Sequence, residues 1–141
     1  MSGFLVDTNV LSELARPRPS RRVVGFLEAN PLEELYLCDV IIAEIRFGLV
    51  TAVGVDHRAR LSQWLDTFVR PNFAGRILTL TDDVFLQWRL MKELGRKARH
   101  TYPEPDLLIA ATAFHYGLTV LTRDVAPFRP ANVPVINPWD A

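Results

Sequence analysis

The chain has 141 residues, 49% hydrophobic and 23% charged, the balance of an ordinary globular protein, and residues 1–141 are expected to form a single domain. Lys plus Arg and Asp plus Glu both number 16, so a nucleic acid would have to be met by a local basic patch, because no global field exists. Cys38 stands alone, which excludes an intrachain disulfide and a cysteine metal knuckle. With no apolar run near the roughly 20 residues of a membrane span and no basic start of a signal peptide, a cytoplasmic setting is expected.

In chain order, Phe4-Leu5-Val6 reads as a short buried strand that delivers Asp7. Residues 10–14 read as a short helix that Pro17 and Pro19 stop. Ser20 caps a second helix, with Val23, Val24, Phe26 and Leu27 on one face. Residues 35–38 read as a strand, and Asp39 is expected to cap a helix carrying Ile41, Ile42, Ile45, Phe47 and Leu49. From about 55 to 69 the spacing of Leu61, Trp64, Leu65 and Phe68 gives another helix. A third strand is expected over 76–80, and Asp82-Asp83 open a long helix with Val84, Phe85, Trp88, Leu90, Met91 and Leu94. Pro105 begins a helix that runs to 116 and ends at Gly117. Residues 118–121 read as a fourth strand and 133–136 as a fifth. Strands separated by helices imply an α/β fold, a central parallel sheet of four to five strands with helices on both faces.

Four acids fall at element boundaries or inside helices, and each has an ordinary explanation. Asp7 follows a strand and precedes a helix, where it could serve only as an N-cap. Glu44, between Ala43 and Ile45, could be solvated or paired with Arg46. Asp106 sits in a first helical turn, which favours a carboxylate in any case. Asp124 follows the fourth strand, where it could belong to a turn. Ligands in open α/β sheets sit at the carboxyl ends of strands, however, and like charges gathered there call for a hard divalent cation. The small apolar run Leu107 to Ala113 further pins the start of its helix, and Asp106 with it, near the sheet.

The segments Leu5-Val6-Asp7-Thr8-Asn9, Glu44-Ile45-Arg46-Phe47-Gly48, Asp106 with Ile109-Ala110-Ala111-Thr112-Ala113, and Leu121-Thr122-Arg123-Asp124 together resemble the PIN-domain ribonucleases. Within them the match is with VapC-type toxins of toxin–antitoxin pairs and their FitB-like branch, whose ending resembles Val135-Ile136-Asn137-Pro138-Trp139. The resemblance implies a three-layer PIN-like fold and a catalytic Mg²⁺ or Mn²⁺ site made by Asp7, Glu44, Asp106 and Asp124, with Asn9 and Thr122 orienting them. It also implies an endoribonuclease acting on RNA, a homodimer, and inhibition by a cognate antitoxin, a VapB- or FitA-like DNA-binding protein that sets an arginine among the carboxylates. One departure is visible: many relatives carry a further acid before the phenylalanine of the last motif, where Pro127 precedes Phe128 here. Asp124 must then supply the acidity of that loop, with Glu104 as the reserve candidate.

Oxygen ligands suit Mg²⁺, which keeps several waters and so leaves positions for a phosphate and a nucleophile. Two unit charges about 4 Å apart interact by roughly 4 kcal/mol at an effective dielectric near 20, so the metal-free cluster is expected to hold protons. His57, His100 and His115 are dispersed without ligand spacing. Arg16, Arg18, Arg21 and Arg22 form one basic cluster. Arg96, Lys97 and Arg99 with His100 form a second; either cluster could grip RNA, against the alternatives of a solvated face or an inter-subunit contact, and the second is the expected RNA contact. Trp64, Trp88 and Trp139 are expected to be core or interface anchors. Two other readings remain: a haloacid-dehalogenase-like phosphatase, disfavoured because Asn9 stands where that family wants an acid, and a non-catalytic protein-binding module, which has no use for Glu44.

Overall fold

The computed structural model describes residues 2–141. Its centre is a five-stranded sheet in the order β3-β2-β1-β4-β5, parallel throughout, made by β1 (Phe4–Val6), β2 (Leu35–Cys38), β3 (Ile77–Leu78), β4 (Thr119–Leu121) and β5 (Val135–Ile136). The chain moves outward from β1 through β2 to β3, then returns to the other side of β1 to add β4 and β5. The crevice between the carboxyl ends of β1 and β4 is therefore the topological switch point, where α/β sheets place their ligands. Leu5, Leu37, Val120 and Leu121 are wholly buried, as strands covered on both faces require.

Around the sheet lie α1 (Thr8–Leu14), α2 (Arg21–Glu28), α3 (Asp39–Thr51), α4 (Val55–Trp64), the short α5 (Arg70–Asn72), α6 (Asp82–Lys97) and α7 (Glu104–Tyr116). Ser20 caps α2 through its hydroxyl, which accepts from the Val23 N–H. Gly117 ends α7 in the left-handed conformation (φ 67°), open to glycine without Cβ strain, and turns the chain straight into β4. In α7, Leu107, Ile109, Ala110, Ala111, Thr112 and Ala113 are all buried, so this helix is enclosed on nearly every side. Among the described residues no helix is long and apolar enough to cross a membrane.

Several expected boundaries shift. Helix α1 begins at Thr8, two residues before the apolar pattern starts, because the Asp7 carbonyl accepts from the Val10 and Leu11 N–H groups. Asp39 is the first residue of α3, whose N-cap position belongs to Cys38; the Asp39 carboxylate instead accepts from the Leu80 N–H at 3.3 Å. Phe47 points outward, 68% exposed, while Ile41, Ile42 and Ile45 turn inward. Helix α4 does not stop at 69 but passes through a π-turn, Leu65–Val69, into α5. Strand β3 is two residues long because it is an edge: Arg76, expected within it, sends its guanidinium back to the carbonyls of Leu35 and Leu32 at 2.8 and 3.0 Å.

The loop after β4 is anchored by Phe128, whose side chain is fully buried. Phe128→Ala should cost about 3–5 kcal/mol of unfolding free energy, as large-to-small changes at enclosed aromatics do. Urea unfolding of the chelated protein measures this, and a loss below about 1 kcal/mol would contradict the packing described.

Candidate active site

Strand β1 delivers Asp7 to the switch crevice in extended backbone (φ −74°, ψ 158°), and its side chain is buried. One carboxylate oxygen, Oδ1, accepts from the Thr8 N–H at 2.7 Å; the other, Oδ2, accepts from the Thr122 hydroxyl at 2.8 Å. Capping the helix and serving the cleft are thus compatible, one oxygen for each. The Thr122 oxygen also accepts from Asn9 Nδ2 at 3.0 Å and from the Asp124 N–H at 3.2 Å, which leaves its proton directed at Asp7. Asn9 in turn accepts the Arg123 N–H on Oδ1 at 3.1 Å. The ends of β1 and β4 are therefore clamped by side chains as well as by the Asp7 N–H bond to the Leu121 carbonyl, 2.9 Å long.

Glu44 on α3 and Asp106 in the first turn of α7 reach the same place because those two helices pack against each other. Asp7, Glu44 and Asp106 line a single cleft of about 730 Å³, together with Asn9, Glu13, Arg16, Arg123 and Trp139. Glu44 is half-buried and makes no ion pair with Arg46. Asp124 is exposed and does not line the cleft, but its charge raises the pKa of both Asp7 and Asp106. Glu104 is engaged elsewhere, with Lys92 at 3.1 Å and the Trp88 indole N–H at 3.2 Å. Of the two candidates for the fourth acid, Asp124 shares the electrostatics of the cluster.

Burial is the main reason that the Asp7 carboxyl is pushed above its usual range; hydrogen bonds from Thr122 and the Thr8 N–H oppose it, and Asp124 adds to it. Asp106 is raised to about 6, first by burial and then by repulsion from Asp7, Asp124 and Glu44. None of these four acids enters an ion pair among the described residues. Nor, among the described residues, do three acid, histidine or cysteine side chains stand close enough to form a ready cage for a metal. An all-oxygen donor set spread around an open cleft fits a hard ion that is held by a few carboxylates and keeps much of its water.

The basic group expected to meet RNA lies elsewhere. Arg96 is paired with Glu93 near the end of α6, in a groove shared with Lys92, His100 and Tyr102, and neither Lys97 nor Arg99 lines the acidic cleft. The cations that do line it are Arg16, a member of the first basic cluster, and Arg123, which the sequence marked only as part of the last motif; Trp139 was expected only as an anchor. Asn9 and Glu13 share one face of α1, and Arg16, two residues past the end of that helix, follows Glu13 by three. Glu13 is buried, accepting from the Ser20 N–H at 2.8 Å. No histidine lines the cleft.

A model of the PIN domain matches residues 4–132. Toxin FitB of Neisseria gonorrhoeae is 38% identical over 96% of this chain and 98% of its own length. VapC ribonuclease Y4jK of Sinorhizobium fredii is 35% identical over 97% of this chain and 98% of its own. Among solved structures, FitAcB from Neisseria gonorrhoeae superposes with a TM-score of 0.91 at 37% identity, covering 98% of this chain and 99% of that one.

The raised pKa of Asp106 sets a stability prediction for the metal-free protein. In the unfolded chain this carboxyl titrates near 3.8, in the fold near about 6, so folding favours its protonated form and stability falls as pH rises from about 4 to about 6. Asp106→Asn, which copies the neutral form, should melt higher than the wild type above that window and equal to it near pH 4, in thermal melts with chelator present. A difference independent of pH would contradict the assignment.

Proposed function

The chain belongs to the PIN-domain family, and on that premise we propose that it is the toxin of a toxin–antitoxin pair, acting as a metal-dependent endoribonuclease. The observation that carries the reading is that Asp7, Glu44 and Asp106 face one cleft at the switch point and make no ion pair among the described residues. A purely structural role would pair or solvate acids of this kind.

Asp7, Glu44, Asp106 and Asp124 would hold the ion, which we take to be Mg²⁺ or Mn²⁺ from the hardness of the donors. Such an ion supplies a Lewis acid for the phosphate and lowers the pKa of water near it. The protein's own part is orientation. Thr122 fixes one oxygen of Asp7, the Thr8 N–H fixes the other, and Asn9 holds Thr122 in the rotamer that donates. Enclosed α7 holds Asp106, and α3 brings Glu44, to the cleft that Asp7 lines. The full-length similarity to Toxin FitB supports an antitoxin as the partner that covers this cleft. Exposed Phe47, Val50, Val53 and Val55 around the end of α3 offer an apolar face for a second copy, in support of a homodimer. A buried, unpaired Cys38 suits the reducing cytoplasm.

Purified protein should cleave single-stranded RNA with Mg²⁺ or Mn²⁺ and stop with chelator. Asp7→Asn, Glu44→Gln and Asp106→Asn should each lower the rate by more than about 100-fold while remaining folded, beyond what loss of an outer support costs. Metal-stimulated cleavage at the wild-type rate by all three would refute the site. Thr122→Val, which removes only the hydroxyl that steadies Asp7, should lower metal affinity or rate by about 10–100-fold. Unchanged metal titration and rate in that variant would show that Asp7 needs no such support.

A further inference from the structure

An acidic cleft repels a polyanion, and the chain's zero net charge supplies no compensating field. Two cations line the cleft. Arg16 is partly neutralised by Glu13 at 3.4 Å, whereas Arg123 makes no ion pair among the described residues. Arg123 is nonetheless held at several points. Its N–H donates to Asn9 Oδ1 at 3.1 Å, its carbonyl accepts from Asn137 Nδ2 at 3.4 Å, and its guanidinium lies over the Trp139 ring, 4.8 Å from the centroid. Trp139 is fixed in turn: its N–H donates to Asn137 Oδ1 at 2.9 Å, and its carbonyl accepts from Arg22 at 3.5 Å.

A guanidinium laid on an indole keeps its charge and its N–H edge while losing its freedom to swing away. That edge matches two oxygens of a phosphate. The anchoring also runs through Asn9 to Thr122 and Asp7, so the cation and the buried carboxylate are positioned by one hydrogen-bond chain. We infer that Arg123 is the phosphate-gripping residue of this cleft, holding the backbone of single-stranded RNA beside the acids, and that Trp139 is its positioning residue. The inference rests on the ribonuclease reading above for the identity of the polyanion. It replaces Arg96, Lys97 and Arg99, which lie outside the cleft, as the principal grip.

The test is binding of a fluorescein-labelled single-stranded RNA by the full chain, measured by anisotropy across a salt series with chelator, alongside cleavage kinetics with Mg²⁺. Arg123→Gln should weaken binding about 5- to 10-fold and reduce the slope of log affinity against log salt by about 0.7, one phosphate contact to a single strand. KM should rise by a similar factor while kcat stays within about twofold. Arg123→Lys should keep the slope but recover only part of the affinity, lacking the bidentate edge. Trp139→Ala should raise KM without changing the slope, and Trp139→Phe, which keeps a ring under the cation, should restore it. Trp139 also packs on the core, so exposed Arg123 decides the matter if Trp139→Ala unfolds. An Arg123→Gln variant with wild-type slope and KM overturns the inference, as does a wild type that binds no RNA. RNA binding that depends on Arg123 in a protein that cuts no RNA would uphold it and overturn the ribonuclease reading instead.

Discussion

Everything at this site depends on the closure between the ends of β1 and β4, where the Thr122 hydroxyl donates to Asp7 and the Asp7 N–H bonds the Leu121 carbonyl. The two strands are neighbours in the sheet but lie 115 residues apart in sequence. Their junction starts α1 through the Asp7 carbonyl, orients a buried carboxylate and, through Asn9, sets the backbone of Arg123. A hydroxyl suits this position because it accepts from Asn9 and the Asp124 N–H while still donating to Asp7.

The acids are tolerated there because packing elsewhere holds them. Helix α7 is buried on nearly all sides, and Thr112 satisfies its own hydroxyl by donating to the Leu108 carbonyl at 2.8 Å, so nothing polar competes with the close fit. The helix cannot withdraw Asp106 from Asp7 without opening that core. Burial first, and then repulsion from Asp7, Asp124 and Glu44, therefore raise the Asp106 carboxyl to about 6. A cleft under this tension has a standing affinity for cations, whether a metal ion or a guanidinium.

Charge is divided by surface. Around α6 and the loop after it, Arg96 pairs with Glu93 and Lys92 with Glu104, so that basic stretch is neutralised in part, and these exposed pairs contribute little to stability. At the cleft, Arg123 faces uncompensated acids and rests on an aromatic ring in place of a carboxylate. An equal count of positive and negative residues therefore says little about where an anion can be held.

Local physics made much of this legible in the amino-acid order. The apolar run before Asp7, the serine before α2, the small apolar face of α7 and the glycine after it each specify an element from neighbouring residues, and the five strands with their intervening helices follow. Asp7, Asp106 and Asp124 could be named because strand ends and first helical turns are places that sequence marks, and Glu44, inside α3, because its motif resembles the family's. What the order could not give was which side chains share a space. Phe47 faces solvent while its helix neighbours are buried, Glu104 turns to Lys92 and Trp88, and Arg76 leaves its strand to bond carbonyls at the sheet edge. Trp139 and Arg123, sixteen residues apart, meet only because β5 lies beside β4. Secondary structure and candidate chemistry come from contacts near in sequence. The cleft, and the cation that faces its acids, come from the strand order, which only long-range packing decides.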